Sequence, residues 1–137
     1  MRLIKISSEN IDLAWKEGSK YILEALEHSD GSYSIEDIYK HLLDNTFLLW
    51  LFYNDDRHCA EGAMITEIVQ YPRRRFCTIL FLGADNLDDS LVLFEEFIKW
   101  ARNHRCDSIN MYGRQGWERR LKSLGFDKLF SVMEKKI

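Results

Sequence analysis

Apolar residues along this chain either recur every three or four positions or run together and alternate, and the switch between the two patterns predicts its elements. Residues 2–6 read as a short strand. From Ser8 onward Ile11, Ala14, Trp15, Gly18, Ile22, Ala25 and Leu26 fall on one helical face, and residues 28–33, with Gly31, end that helix. Ser34 and Asp37 form an N-cap pair for a second amphipathic helix that carries Ile35, Ile38, Leu42 and Leu43 and ends near Asn45. Residues 47–53 are apolar and bounded by Asn54, Asp55 and Asp56, a buried strand followed by a hairpin turn. Residues 59–71 and 76–82 give two more strands, joined across Pro72, Arg73, Arg74 and Arg75. Residues 83–89 lead into a third helix with Leu87, Leu91, Phe94, Ile98 and Ala101 on one stripe, and Arg102, His104 and Arg105 suit its negative end. Residues 108–112 are a short strand, and residues 113–116 turn into a fourth helix carrying Trp117, Leu121 and Leu124. Gly125 fits the left-handed position that stops it. Residues 126–135 close the chain as a last strand. The order β-α-α-β-β-β-α-β-α-β predicts an α/β fold, a mixed central sheet with helices on both faces, in one domain over residues 1–137.

Composition narrows the chemistry. The 46% hydrophobic content suffices for one packed core in 137 residues, and a net charge of −3 gives no global basic field, so nucleic-acid binding would need a local patch. Cys59, Cys77 and Cys106 are odd in number and set among strand residues, as reduced thiols are, and His28, His41, His58 and His104 lack metal-ligand spacing, so no metal site is expected. No segment reaches the roughly 18 apolar residues of a membrane span, and no cleavable leader is visible, so the expected setting is soluble and cytoplasmic.

Two segments carry a resemblance. Leu121, Lys122, Ser123, Leu124, Gly125 and Phe126 resemble the Tyr-Glu-Lys-Leu-Gly-Phe segment of the GCN5-related N-acetyltransferases (GNAT), and Trp100 with Ala101 resembles the family's Glu-Trp-Ala helix end. The element order over nearly the whole chain is similar to that of the same family. Residues 66–75 (TEIVQYPRRR) and 112–118 (YGRQGWE) also look like a degenerate GNAT-like group of tailed phages, which includes virion-associated proteins.

What the resemblance implies about coenzyme A can be tested on the residues. The family holds the cofactor's diphosphate on a loop of pattern Gln/Arg-x-x-Gly-x-Gly/Ala, whose glycines let backbone N–H groups reach phosphate oxygens. Counted back from Trp100, that loop corresponds to Asp85, Asn86, Leu87, Asp88, Asp89 and Ser90, with no glycine and three acids. A carboxylate about 6 Å from a phosphate costs roughly 2–3 kcal/mol at an effective dielectric of about 20, whereas a helix N-terminus returns only about 0.3–1 kcal/mol. Repulsion wins, and Asp88 and Asp89 read instead as favourable charges on an unliganded helix start. The family's general acid is a tyrosine where Leu121 stands, and leucine has no proton to give. Tyr112 as a substitute acid and Glu61 or Glu67 as a base are the remaining catalytic candidates, with spacing that singles none of them out.

Arg73, Arg74 and Arg75 beside Tyr71 and Phe76, and Arg114, Arg119 and Arg120 around Trp117, could offer cations and rings to nucleic acid, although such charges usually solvate a hairpin and a helix face. Trp117 reads either as a staple holding a short helix to the sheet or as part of a recognition turn, Gly113 to Trp117, where the two central strands splay. The favoured reading is a GNAT-fold binding or structural protein with a degenerate cofactor site, no cofactor and protein partners, of phage and virion type. The alternatives are an active acetyl-CoA-dependent N-acyltransferase and a nucleic-acid-contacting accessory protein.

Overall fold

In the computed structural model, which describes residues 1–113 and 115–137, five strands form one sheet in chain order. They are β1 (Arg2–Lys5), β2 (Leu48–Asn54), β3 (Cys59–Gln70), β4 (Arg75–Ala84) and β5 (Ser108–Met111). The first four pair antiparallel in succession, and β5 lies parallel to β4. A parallel neighbour requires a crossover, which α3 (Leu87–Leu91) and α4 (Phe94–Asn103) supply. Helices α1 (Ile11–Leu26) and α2 (Ile35–Leu43) connect β1 to β2, and α5 (Gln115–Lys122) follows β5.

Side-chain alternation along β2 puts helices on both faces. Leu49 and Leu51 enter a core shared with Ile11, Ile22, Ile38 and Leu42 of α1 and α2. Trp50 and Phe52 point the other way, into a second core with Met64, Cys77, Leu91, Phe94 and Phe97. Both faces being covered is why β2 reads as an unbroken apolar run.

Local signals act where the sequence places them. Ser34 Oγ accepts from the Asp37 N–H at 3.1 Å while Asp37 Oδ2 accepts from the Ser34 N–H at 2.9 Å, a reciprocal cap on α2. Gly125, at φ +89°, ends α5 with the Phe126 N–H bonded back to the Leu121 carbonyl at 3.1 Å.

Two expectations give way. The stripe from Leu87 to Ala101 is two helices, because the Leu93 N–H bonds to the Ser90 carbonyl and the Glu96 N–H to the Leu93 carbonyl, both at 3.1 Å. These i→i+3 bonds tighten the turn, so Leu91 and Phe94 are both buried while Val92 faces solvent. Residues 126–137 form no strand, so among the described residues the order ends in α5. A strand needs a partner along its length, and β5 presents only four residues. The segment is tied down by Phe126, packed 6.5 Å from the Phe94 ring, and exposes Leu129, Phe130, Val132 and Met133.

α1 crosses the sheet closely enough to touch backbone with backbone. A Cβ added at Gly83 would lie 2.5 Å from the Tyr21 carbonyl oxygen, far inside van der Waals contact, so β4 admits only glycine there. Gly83→Ala is expected to lower stability by about 2–3 kcal/mol, measured as a drop in urea midpoint at unchanged slope.

Candidate functional site

The site is built where β4 and β5 part. Ile65 pairs with Phe81 but Thr66 with Ile79, so Leu80 is an extra residue bulged out of β4. The bulge reverses the faces: Cys77 and Ile79 belong to the core under α4, and Phe81 to the core under α1. Pairing of β4 with β5 ends at Ile79 and Met111, at the bulge, and the strands diverge beyond it.

Just past β4, the loop singled out by the resemblance is closed by its own hydrogen bonds. Tyr21, 1% exposed, donates its hydroxyl to Asp85 Oδ2 at 2.8 Å, with the Ala60 carbonyl 3.1 Å away. Burial, followed by this bond and the charge of Asp85, raises the Tyr21 phenol well above its usual range. The Asp85 N–H bonds to the Glu61 carbonyl at 2.9 Å. Asn86 Oδ1 accepts from the Asp89 N–H at 3.2 Å, and the Asn86 carbonyl accepts from the Ser90 N–H at 3.2 Å and the Ser90 hydroxyl at 3.1 Å. Asp88 meets Arg120 of α5 at 2.8 Å, an exposed pair of small energetic weight that offsets one of the three acids. Asn86, immediately before an apolar helix position, carried a capping signal that the sequence reading passed over. Tyr21 carried none, since its partners lie 39 and 64 residues away.

The catalytic candidates fall in two places. Glu61 sits by the β2–β3 turn, accepting from Asn54 Nδ2 at 2.9 Å with Arg57 at 3.8 Å. Glu67 and Tyr112 come together on the sheet face that carries α1 and α2. Burial raises the Glu67 carboxyl, and His41 offsets part of that rise. The Tyr112 phenol is raised by burial first, then by Tyr71 beside it and by the Glu67 carboxylate. Thr78 bonds Asn110 at 2.6 Å across β4 and β5. Tyr71 is a member of this group that the sequence reading treated only as a neighbour of the arginines.

The remaining candidates separate, except that Arg74 and Trp117 line one cavity. Leu121, at the family's acid position, is 5% exposed, packs in the core under α4 and lines the cavity on the outer edge of β5. Trp117 is half-buried against the same core and lies over Gly113, where a Cβ would come within 3.1–3.2 Å of its side chain, as a staple does. The cavity that it lines, of about 840 Å³, lies between β5, α4, α5 and residues 124–132, on the outer edge of β5 and not between β4 and β5. Arg120 is held by Asp88, away from Arg73 and Arg74, and Arg114 lies outside the described residues. Cys77 is buried and its thiol is pushed up to about 12, chiefly by burial. Among the described residues no three His, Cys, Asp or Glu side chains gather to hold a metal ion, and no helix is long and apolar enough to cross a membrane.

This architecture is shared with solved acetyltransferases, a mixed α/β fold like the one the resemblance implied. The BH1408 protein of Bacillus halodurans superposes with a TM-score of 0.72 at 14% identity, over 100% of both chains. The ribosomal-protein-alanine N-acetyltransferase of Brucella melitensis superposes with 0.72 at 9% identity, again over 100% of both. A predicted acetyltransferase of Clostridium acetobutylicum, solved with acetyl-CoA, gives 0.68 at 11% identity over 98% of this chain and 95% of its own. At such identities the likeness is one of fold. No family model matches the sequence, and no curated protein does.

Tyr21→Phe is expected to cost about 1–2 kcal/mol in chemical unfolding, with most of that loss coupled to Asp85→Asn in a double-mutant cycle. A carboxyl with a raised folded pKa holds its proton more tightly when folded, so its ionisation lowers stability. The native chain should therefore lose stability relative to Glu67→Gln as pH rises from the ordinary carboxyl value of 4.5 through the higher folded one, followed by urea midpoints against pH.

Proposed function

We propose that this chain is a non-catalytic binding protein on an acetyltransferase fold, and the observation that carries the reading is the state of the α3 entrance. A diphosphate seat needs free N–H groups and room for oxygens. Here two of the N–H groups are engaged by Asn86, Asp85 is engaged by Tyr21, and no residue from 85 to 90 is a glycine. α3 is five residues long, so few aligned peptide dipoles stand behind it. Arg120 offsets Asp88 alone, leaving Asp85 and Asp89 facing an incoming anion at roughly 2–3 kcal/mol each at about 6 Å. The burial of Leu121 supports the same conclusion, since no hydroxyl stands there to protonate a leaving thiolate. The likeness of residues 66–75 and 112–118 to tailed-phage proteins supports a place in a virion or its assembly, with other proteins as partners.

A second reading, an active N-acyltransferase, draws on Glu67 and Tyr112. A carboxyl whose pKa is raised by burial, beside a phenol at the mouth of the β4–β5 divergence, suits a base and an acid for transfer to an amine. It still requires a seat for the cofactor, and the α3 entrance weighs against one.

Isothermal calorimetry with acetyl-CoA separates the two. The expected result is no saturable heat up to about 1 mM ligand, whereas a dissociation constant in the range of about 1–10 μM contradicts the proposal. Release of free coenzyme A with an amine acceptor, lost in Tyr112→Phe, would establish the second reading in its place.

A further inference from the structure

The fold gathers arginines that the sequence leaves apart. The turn between β3 and β4 carries Arg73 and Arg74, with Arg75 opening β4, and Arg102 stands in the last turn of α4 with Arg105 in the turn that follows it. The two turns are bonded together: the Asp107 N–H to the Arg75 carbonyl at 2.7 Å, the Arg75 N–H to Asp107 Oδ2 at 2.8 Å, Arg75 Nε to the His104 carbonyl at 3.0 Å, and Arg74 Nη2 to Ser108 Oγ at 3.0 Å. Asp107, the one acid in these turns, accepts from a main-chain N–H. Among the described residues the ion pairs belong to Arg2, His41, Arg57 and Arg120, and none involves these five arginines. At the opposite end of the sheet lie Asp55 and Asp56 of the β2–β3 turn, with Asp85, Asp88 and Asp89 beyond β4. A chain of net charge −3 thus carries a cluster of arginines without ion pairs at one end and, at the other, aspartates of which Asp55 and Asp88 are paired with Arg2 and Arg120.

Aromatic rings stand at the β3–β4 side of this end, beside Arg74. Tyr71 is 48% exposed, edge-on to Phe76 at 5.7 Å, and Tyr112 next to it is 59% exposed. Arg74 lies over the Phe76 ring at 4.4 Å, which fixes its guanidinium at the surface. Phosphates need cations, and unpaired bases need ring faces to stack on. An acidic peptide would use the arginines and leave the rings idle, and a duplex keeps its base faces covered.

We propose that this end of the sheet binds single-stranded nucleic acid, with Arg73, Arg102 and Arg105 on phosphates and Tyr71 and Tyr112 stacking on bases. The proposal deepens the reading of the chain as a binding protein by naming its partner. It rests on the end of the sheet away from α3, so calorimetry that found coenzyme A bound would leave it intact.

Fluorescence anisotropy of a labelled oligodeoxythymidine of about 20 nucleotides, titrated with the full chain at about 50 and 200 mM salt, tests it. Saturable binding that weakens with salt is expected. Arg73→Ala with Arg102→Ala should flatten the log affinity against log salt slope by about 1–1.5, and Arg105→Asn, an independent variant whose residue tolerates the left-handed backbone at φ +63°, should flatten it by about 0.7. Tyr71→Ala should weaken binding by about 5-fold to 100-fold, and Arg57→Ala at the far end should change nothing. Matched thermal melts show that each variant is folded. Absence of binding at low salt overturns the proposal. So does polyglutamate competing as well as the oligonucleotide while Tyr71→Ala is neutral, which would mark a surface for acidic protein.

Discussion

The contact of the Tyr21 main chain with Gly83 positions everything at the working end of this sheet. Because β4 carries no side chain at that point, α1 can lie directly on the strand, and the Tyr21 ring then reaches past it to the Ala60 carbonyl and the Asp85 carboxylate. The end of β4 and the start of the following loop are thereby pinned by one residue of α1. The bulge at Leu80, a few residues earlier, shifts the alternation of β4, so that Phe81 faces α1 where an unbroken strand would put it beside Ile79 under α4. An opening between β4 and β5 follows from the bulge, and the closed loop above it follows from the pin.

The fold was legible because it is written in periodicity. Apolar stripes located the helices, the unbroken run at residues 47–53 marked a buried strand, and Ser34 with Asp37 announced the cap of α2. What failed did so for two reasons, one local and one not. The stripe from Leu87 to Ala101 has the right spacing for one helix, but i→i+3 bonds at Leu93 break it without disturbing which residues are buried. Residues 126–135 have strand-like composition, yet composition does not report whether an edge of sufficient length is there to pair with.

The site was legible in outline and opaque in detail for the second of these reasons. The missing glycines of residues 85–90 and the leucine at position 121 were visible in the sequence, and the structure places Leu121 in the core. The sequence held no sign that Tyr21 would engage Asp85, that Arg120 would meet Asp88, or that Glu67, Tyr71 and Tyr112 would share one face. Nor did it show that Arg73, Arg74 and Arg75 would be joined by Arg102 and Arg105 and not by Arg120. These are juxtapositions across tens of residues, made by the sheet register. Together they give the molecule an electrostatic direction, with carboxylates gathered beyond the end of β4 and guanidinium groups at its start.

The central claim is that the start of α3, with the Asp89 and Ser90 N–H groups committed to Asn86 and aspartates around them, does not seat a phosphate. Following the main-chain N–H groups of this helix start by amide NMR while coenzyme A is added tests it most directly. The account predicts that the Leu87, Asp88, Asp89 and Ser90 resonances stay where they are. Shifts at these four that grow and saturate together would contradict it.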